Sequence, residues 1–339
     1  MKRMISVFDI CKFLATSLRI SVLSIIFFSM VACNSTATLS AAKADTIVVH
    51  DKELVPEGIA VHPGTGTVYL SSLHKNKIIS IDQNGNHTDL ITAGQNGFMK
   101  GLGMKISKDG KTLWACSADV DSIKSVSGLF AIDLGSGNVV YSYFHRQDST
   151  SLFNDLVIHS SGDIFITDSY QGTVFRYQPA NKVIELWLQS DQLTLANGIA
   201  FSDDEKVLFV ASGDKGIQRI DLKTKQVTPV SKGQRTDYAI DGLVYFRQAL
   251  FGVIGWPHDQ VQDHRVLRYH LSDDYFLKSV DTIIINKPYL RAPTTAALYN
   301  NQLYVLGKTN LDLYNKNQQT VSGIEQTLQF PLIVRIPLK

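Results

Sequence analysis

A repeat of roughly fifty residues is the feature that most limits what this 339-residue chain can fold into. Four sixteen-residue segments line up without a gap: Glu57 to Ser72, Leu102 to Ser117, Asn154 to Ser169 and Asn197 to Ser212. Two looser copies follow, Asp241 to Gly255 and Thr294 to Gly307. Each reads as an apolar strand, a turn rich in Gly, Asp or Asn, and a second strand heavy in Val, Leu, Phe, Tyr and Trp, which is a hairpin signal. A third strand follows most copies, as in Lys77 to Asp82 and Gly128 to Asp133. The copies start 45, 52, 43, 44 and 53 residues apart. Periods of ~40 to 50 residues carrying about four strands each indicate propeller blades. The expected fold is therefore all-β, a six-bladed β-propeller over residues 46–339. Thr46 to His50 is a spare strand ahead of the first copy, placed to complete the sheet that ends in Leu332 to Ile336 and so hide two edges.

The first residue of every copy occupies one structural position, at the end of the innermost strand, so six side chains converge on the channel. In order they are Glu57, Leu102, Asn154, Asn197, Asp241 and Thr294. Glu57, Asn154, Asn197 and Asp241 offer two carboxylates and two neutral amide oxygens, and no His or Cys joins them. Oxygen-only donors with a charge of −2 suit a hard divalent cation, Ca²⁺ before zinc or copper. Fewer protein ligands than such an ion takes leave positions for water or substrate.

With Pro56-Glu57-Gly58, Asn154-Asp155, Asn197-Gly198-Ile199-Ala200-Phe201-Ser202 and Asp241-Gly242-Leu243, the chain resembles the regucalcin/gluconolactonase family, relatives of the paraoxonases and of squid-type diisopropylfluorophosphatase. The resemblance covers about residues 46–338. It implies a catalytic divalent metal, usually calcium, held by Glu57, Asn154, Asn197 and Asp241, with Asp241 also the base or nucleophile, and a second, structural metal at Asp155. The chain departs from sugar lactonases in two places. Glu57-Gly58-Ile59-Ala60 replaces their Glu-Gly-Pro followed by Trp, and Ser151-Leu152-Phe153 holds no arginine beside Asn154.

Residues just after each second strand return to the same mouth. Asp168 is expected beside Asn154, where it would orient that amide or a metal-bound water. His74 and His258 are candidate proton shuttles, and Trp256 opens an insertion through His264 that would form a rim.

The first 45 residues differ in kind. Lys2, Arg3, Lys12 and Arg19 precede an apolar run, Ile20 to Val31, too short for the ~20 residues that span a bilayer. This is an export signal. Met30-Val31-Ala32-Cys33 has the form of a lipobox, so residues 1–33 would be removed up to a lipid-bearing Cys33, residues 34–45 would be a tether, and the protein would be held at the cell envelope. Cleavage after Ala44 would instead release it as a secreted or periplasmic soluble protein. Loss of residues 1–33 leaves 29 basic and 30 acidic residues, which gives no basic field for nucleic acid. Cys116 has no partner for a disulfide and lies in an apolar strand, so it is expected as a buried small hydrophobe. The oligomeric state stays open. These observations point to an exported, calcium-dependent ester or lactone hydrolase acting on a small molecule, with a non-catalytic, surface-tethered binding module as the alternative.

Overall fold

In a computed structural model, residues 45–119, 126–146, 150–232, 238–257 and 260–338 are described. They form six antiparallel four-stranded sheets. Five run in sequence order from the inside outward; the last holds three strands from the end of the chain and one from its beginning. Asp45–Val48 pairs with Leu332–Pro337, Thr46 opposite Val334 and Val48 opposite Leu332, so the ring closes as expected, with Asp45 already in the strand. The signal, lipobox and most of the tether lie outside the described residues.

The innermost strands are Pro56–Val61, Lys100–Ile106, Phe153–Ile158, Ala196–Phe201, Ile240–Phe246 and Ala296–Tyr299. Each packs beside the next, and the last beside the first. Between neighbouring blades lies an apolar cluster: Tyr69 with Leu113 and Phe130 from blades 1 and 2, Phe165 with Phe201 and Leu208 from blades 3 and 4, Phe209 with Leu250 and Tyr269 from blades 4 and 5. Each fully buried Leu, Ile or Phe adds about 1.5–3 kcal/mol, and the ring repeats this packing at every blade interface. Cys116 is fully buried in the cluster between blades 2 and 3. Burial, aided by Asp155 and Glu57, raises its thiol pKa well above the usual range, as an inert core residue requires.

Five inner strands carry a register shift at one place, between Pro56 and Ile59, Gly101 and Met104, Phe153 and Leu156, Ala196 and Ile199, and Ile240 and Leu243. Two residues there oppose one on the next strand, which is a β-bulge, a device that re-aims side chains. The bulged pairs are Glu57-Gly58, Leu102-Gly103, Asn154-Asp155, Asn197-Gly198 and Asp241-Gly242. The second member of each pair faces the next blade: a Cβ on Gly58 would collide with the Leu102 carbonyl, on Gly198 with Asp241 and Leu243, and on Gly242 with Thr295. The first member is thereby free to turn to the axis.

Candidate functional site

The bulges bring three acids within electrostatic reach of one another. Glu57 and Asp155 are buried, and Asp241 is half-buried. Burial, then Asp241 and Asp155, push the Glu57 carboxyl well above the carboxylate range, while Lys105 pulls it back. Burial pushes Asp241 up to about 7, with Asp155 adding and a hydrogen bond from Asn197 opposing. Asp155 is raised by burial and lowered by Lys105 and by amide donors.

The amides are anchored through their NH₂ groups. Asn197 Nδ2 donates to Asp241 Oδ1 at 2.8 Å and Asn154 Nδ2 to Ser169 Oγ at 3.0 Å. Each bond leaves the amide carbonyl as the uncommitted atom. Hydroxyls fix the backbones beneath. Ser71 accepts from Gly58 N at 2.8 Å and donates to Leu102 O at 2.7 Å, Thr167 donates to Asn197 O at 2.8 Å, and Thr294 donates to Glu57 O at 2.9 Å. Thr294, in phase with the ligand candidates, is thus a strut between blades 6 and 1.

The donor set fits a divalent cation. Glu57 Oε2 is buried and meets no hydrogen-bond donor, an arrangement whose cost of about 1–3 kcal/mol or more a cation would offset. Among the described residues no group of three or more His, Cys, Asp or Glu that could hold a metal ion is found, so the set rests on Glu57 and Asp241 completed by amide oxygens. Asp155 is otherwise engaged: its Oδ1 accepts from Leu156 N at 2.8 Å and lies 3.9 Å from Lys105 Nζ.

Asp168 does not orient Asn154. Its Oδ1 accepts from the amides of Leu152, Tyr170 and Gln171 at 3.0, 3.1 and 3.2 Å, and its Oδ2 from Ser151 Oγ at 2.6 Å. The hairpin of blade 3 is one residue shorter than that of blade 1, since Phe153 pairs with Asp168 where Pro56 pairs with Ser72. The gapless alignment therefore shifts by one, and Ser169, the next residue, takes the amide. Asp168→Ala strands the buried Ser151 hydroxyl and three partly buried loop amides and should cost about 3 kcal/mol. Thermal melting should show this loss with calcium binding intact; a matching loss of calcium affinity would return Asp168 to the site.

His74 and Trp256 are not brought to the acids. His74 packs edge-on against Tyr314, ring centroids 5.7 Å apart, and burial lowers its pKa. Trp256 is 57% exposed. His258 lies outside the described residues. The insertion ends instead on fully buried His264, whose Nδ1 accepts from Ala292 N at 3.1 Å and whose Nε2 donates to Pro257 O at 3.3 Å, tying blade 5 to blade 6.

A strap absent from the expectations covers part of the mouth. Residues 309–331, with a short helix at Leu311–Lys316, leave blade 6 after its second strand. Leu311, Tyr314, Val321 and Leu328 join the cluster that holds Val55, Leu73 and Leu102. Arg291 Nε donates to Asp312 and Lys100 Nζ to Gln319 at 2.7 and 2.8 Å. Its signal was the long interval between Gly307 and Leu332, too long for a tight turn. Between blades 3 and 4 the same end keeps a depression of about 250 Å³, lined by Ser169, Tyr170, Thr194 and Leu195 among others.

The SMP-30/Gluconolactonase/LRE-like region matches residues 55–261. The chain belongs to this family. It is 27% identical over 201 residues to the lactonase drp35 of Staphylococcus haemolyticus, 57% of this chain and 59% of the relative, so the match spans less than two thirds of that lactonase. Among solved structures, a gluconolactonase from Xanthomonas campestris superposes with a TM-score of 0.59 at 16% identity, over 87% of this chain and 90% of that one. A calcium-binding protein, regucalcin, from Agrobacterium tumefaciens gives 0.58 at 16% identity, over 87% and 94%. At these identities the two structures speak for the fold, which is shared around the whole ring.

Proposed function

We propose that this member of the family is a divalent-cation-dependent hydrolase of lactones or esters, with Ca²⁺ held by Glu57, Asn154, Asn197 and Asp241. The observation that carries it is the unpartnered, buried Glu57 Oε2 beside Asp241 and its anchored amide. The lactonase drp35 relative supports the substrate class, and the regucalcin neighbour, described as calcium-binding, supports the ion. When bound, the ion supplies Lewis acidity toward the substrate carbonyl.

The chain's own residues do the rest. Asn197 holds Asp241 Oδ1, which leaves Oδ2 to take a proton from the attacking water. Ser169 fixes Asn154, so the carbonyl oxygen of that amide stays turned away from the hydroxyl. Tyr170 and Leu195 line the depression between blades 3 and 4, which suits an acyl chain or lactone ring with an apolar face. Export, with a lipid on Cys33 holding the protein at the membrane, belongs to the same proposal.

A panel of aliphatic, aromatic and sugar lactones, assayed with and without chelator, tests this. Turnover should vanish in chelator and return with Ca²⁺. Turnover indifferent to chelation overturns the reading. A cation that raises thermal stability without any turnover across the panel favours the tethered binding module, which the missing arginine beside Asn154 also suits.

A further inference from the structure

Two residues break the repeat, and they meet. One position of the inner strand, opposite an aromatic on the second strand, is Ala60, Val157, Ala200, Val244 and Ala297 in five blades, against Tyr69, Phe165, Phe209, Phe251 and Tyr304. In blade 2 it is Lys105, opposite Trp114. The second bulge position is Gly58, Gly103, Gly198 and Gly242, yet Asp155 in blade 3. Gly103 closes the distance, since a Cβ there would stand 2.7 Å from Asp155 Cα and 2.8 Å from Asn154 O. The Lys105 ammonium lies 3.9 Å from Asp155 Oδ1. It is also the basic group that acts on Glu57.

We propose that Lys105 is a built-in counter-ion: with its ammonium beside Asp155, the three acids of the channel carry the net charge that one divalent cation neutralises, so the channel takes a single such ion at an affinity Lys105 sets. This rests on the cation reading above. Glu57, Asp155 and Asp241 together amount to −3 when ionised, and Lys105 brings this to −2. A lysine tethered on a rigid inner strand cannot be diluted or chelated away, so Asp155 stays compensated whether or not the ion is present. Asp155 is also held by the Leu156 amide, which keeps it in place as the ammonium's partner. The unpartnered oxygen is on Glu57, which feels Lys105 only through the field, while the ammonium's ion-pair contact is with Asp155.

Calorimetric titration of the purified protein with Ca²⁺, with Tb³⁺ luminescence as a second probe, tests the charge balance through a double-mutant cycle. The wild type should bind one ion. Lys105→Met should bind Ca²⁺ at least about tenfold more tightly, Asp155→Asn at least about tenfold more weakly, and the double variant, again at −2, within about threefold of the wild type. Two ions in the wild type, or Lys105→Met binding no more tightly, overturns the proposal. A wild type that binds none overturns the cation reading itself, a separate outcome. If Lys105→Met does not fold, the double variant decides: folded with one ion it supports the counter-ion, and unfolded it assigns Lys105 to packing and overturns the role.

Discussion

Asp241→Asn should lower kcat for lactone hydrolysis on the order of a thousandfold at saturating Ca²⁺, with the propeller still folded. The substitution is nearly isosteric, so the bulge at Asp241-Gly242 and its contact with Thr295 survive. What changes is chemistry. A carboxylate becomes an amide that accepts no proton, and a positioned general base contributes ~10²–10⁴-fold. The lost negative charge also weakens the cation, which is why the assay is run at saturating Ca²⁺, where a ligand effect is restored and a base effect is not. Asn197→Ala should give a smaller loss, since it frees the Asp241 Oδ1 that the amide holds at 2.8 Å without removing the base. A kcat for Asp241→Asn within tenfold of wild type would remove Asp241 from the chemistry.

The ring and its closure were legible because blade packing is periodic: every copy must bury the same two faces, so Val, Leu and aromatic residues recur in phase, and Thr46 to His50 stood out as a strand without a partner. Phase also pointed to Glu57, Asn154, Asn197 and Asp241. Position in the strand alone would alternate side chains between faces; the bulges, unseen in the sequence, are what let adjacent residues face the axis and the next blade. Asp168 was misplaced because a one-residue deletion in a hairpin turn leaves the hydrophobic pattern intact and moves only the register. Lys105 was passed over for a related reason. Alone it looks like a solvated lysine in a strand, and its meaning comes from Asp155 on another blade, a contact no spacing encodes. The strap of residues 309–331 obeys no period at all. Its apolar side chains pack against Leu73 and Leu102, so its existence was readable from length and its place was not.

Without calcium, stability should fall as pH rises from about 5 to 7.5, and calcium should reverse the trend. Glu57 has a folded pKa raised by burial and by the charges of Asp241 and Asp155, and Asp241 one raised by burial and by the charge of Asp155, against about 4 in the unfolded chain. Between those values the folded state holds more protons than the unfolded one, so stability is greatest at the acid end and declines as these groups ionise in place. His74 and His264 act the other way. Burial lowers their pKa values, so they favour folding as pH rises through the histidine range. Glu57→Gln separates the two contributions, because it removes a repelling acid and leaves both histidines. In chelator at pH 7.5 the variant should melt higher than the wild type by ~5 °C, the shift expected for a kcal/mol or two in a domain of this size. Calcium should then raise the wild type, whose two carboxylates it pairs, and leave Glu57→Gln almost unmoved, while His74→Ala keeps the full response. A metal-free melting temperature that is flat across this range, or a calcium response retained in Glu57→Gln, would mean that Glu57 and Asp241 do not share an ion, because a buried Glu57 within electrostatic reach of Asp241 cannot ionise beside it without either a cation or a cost.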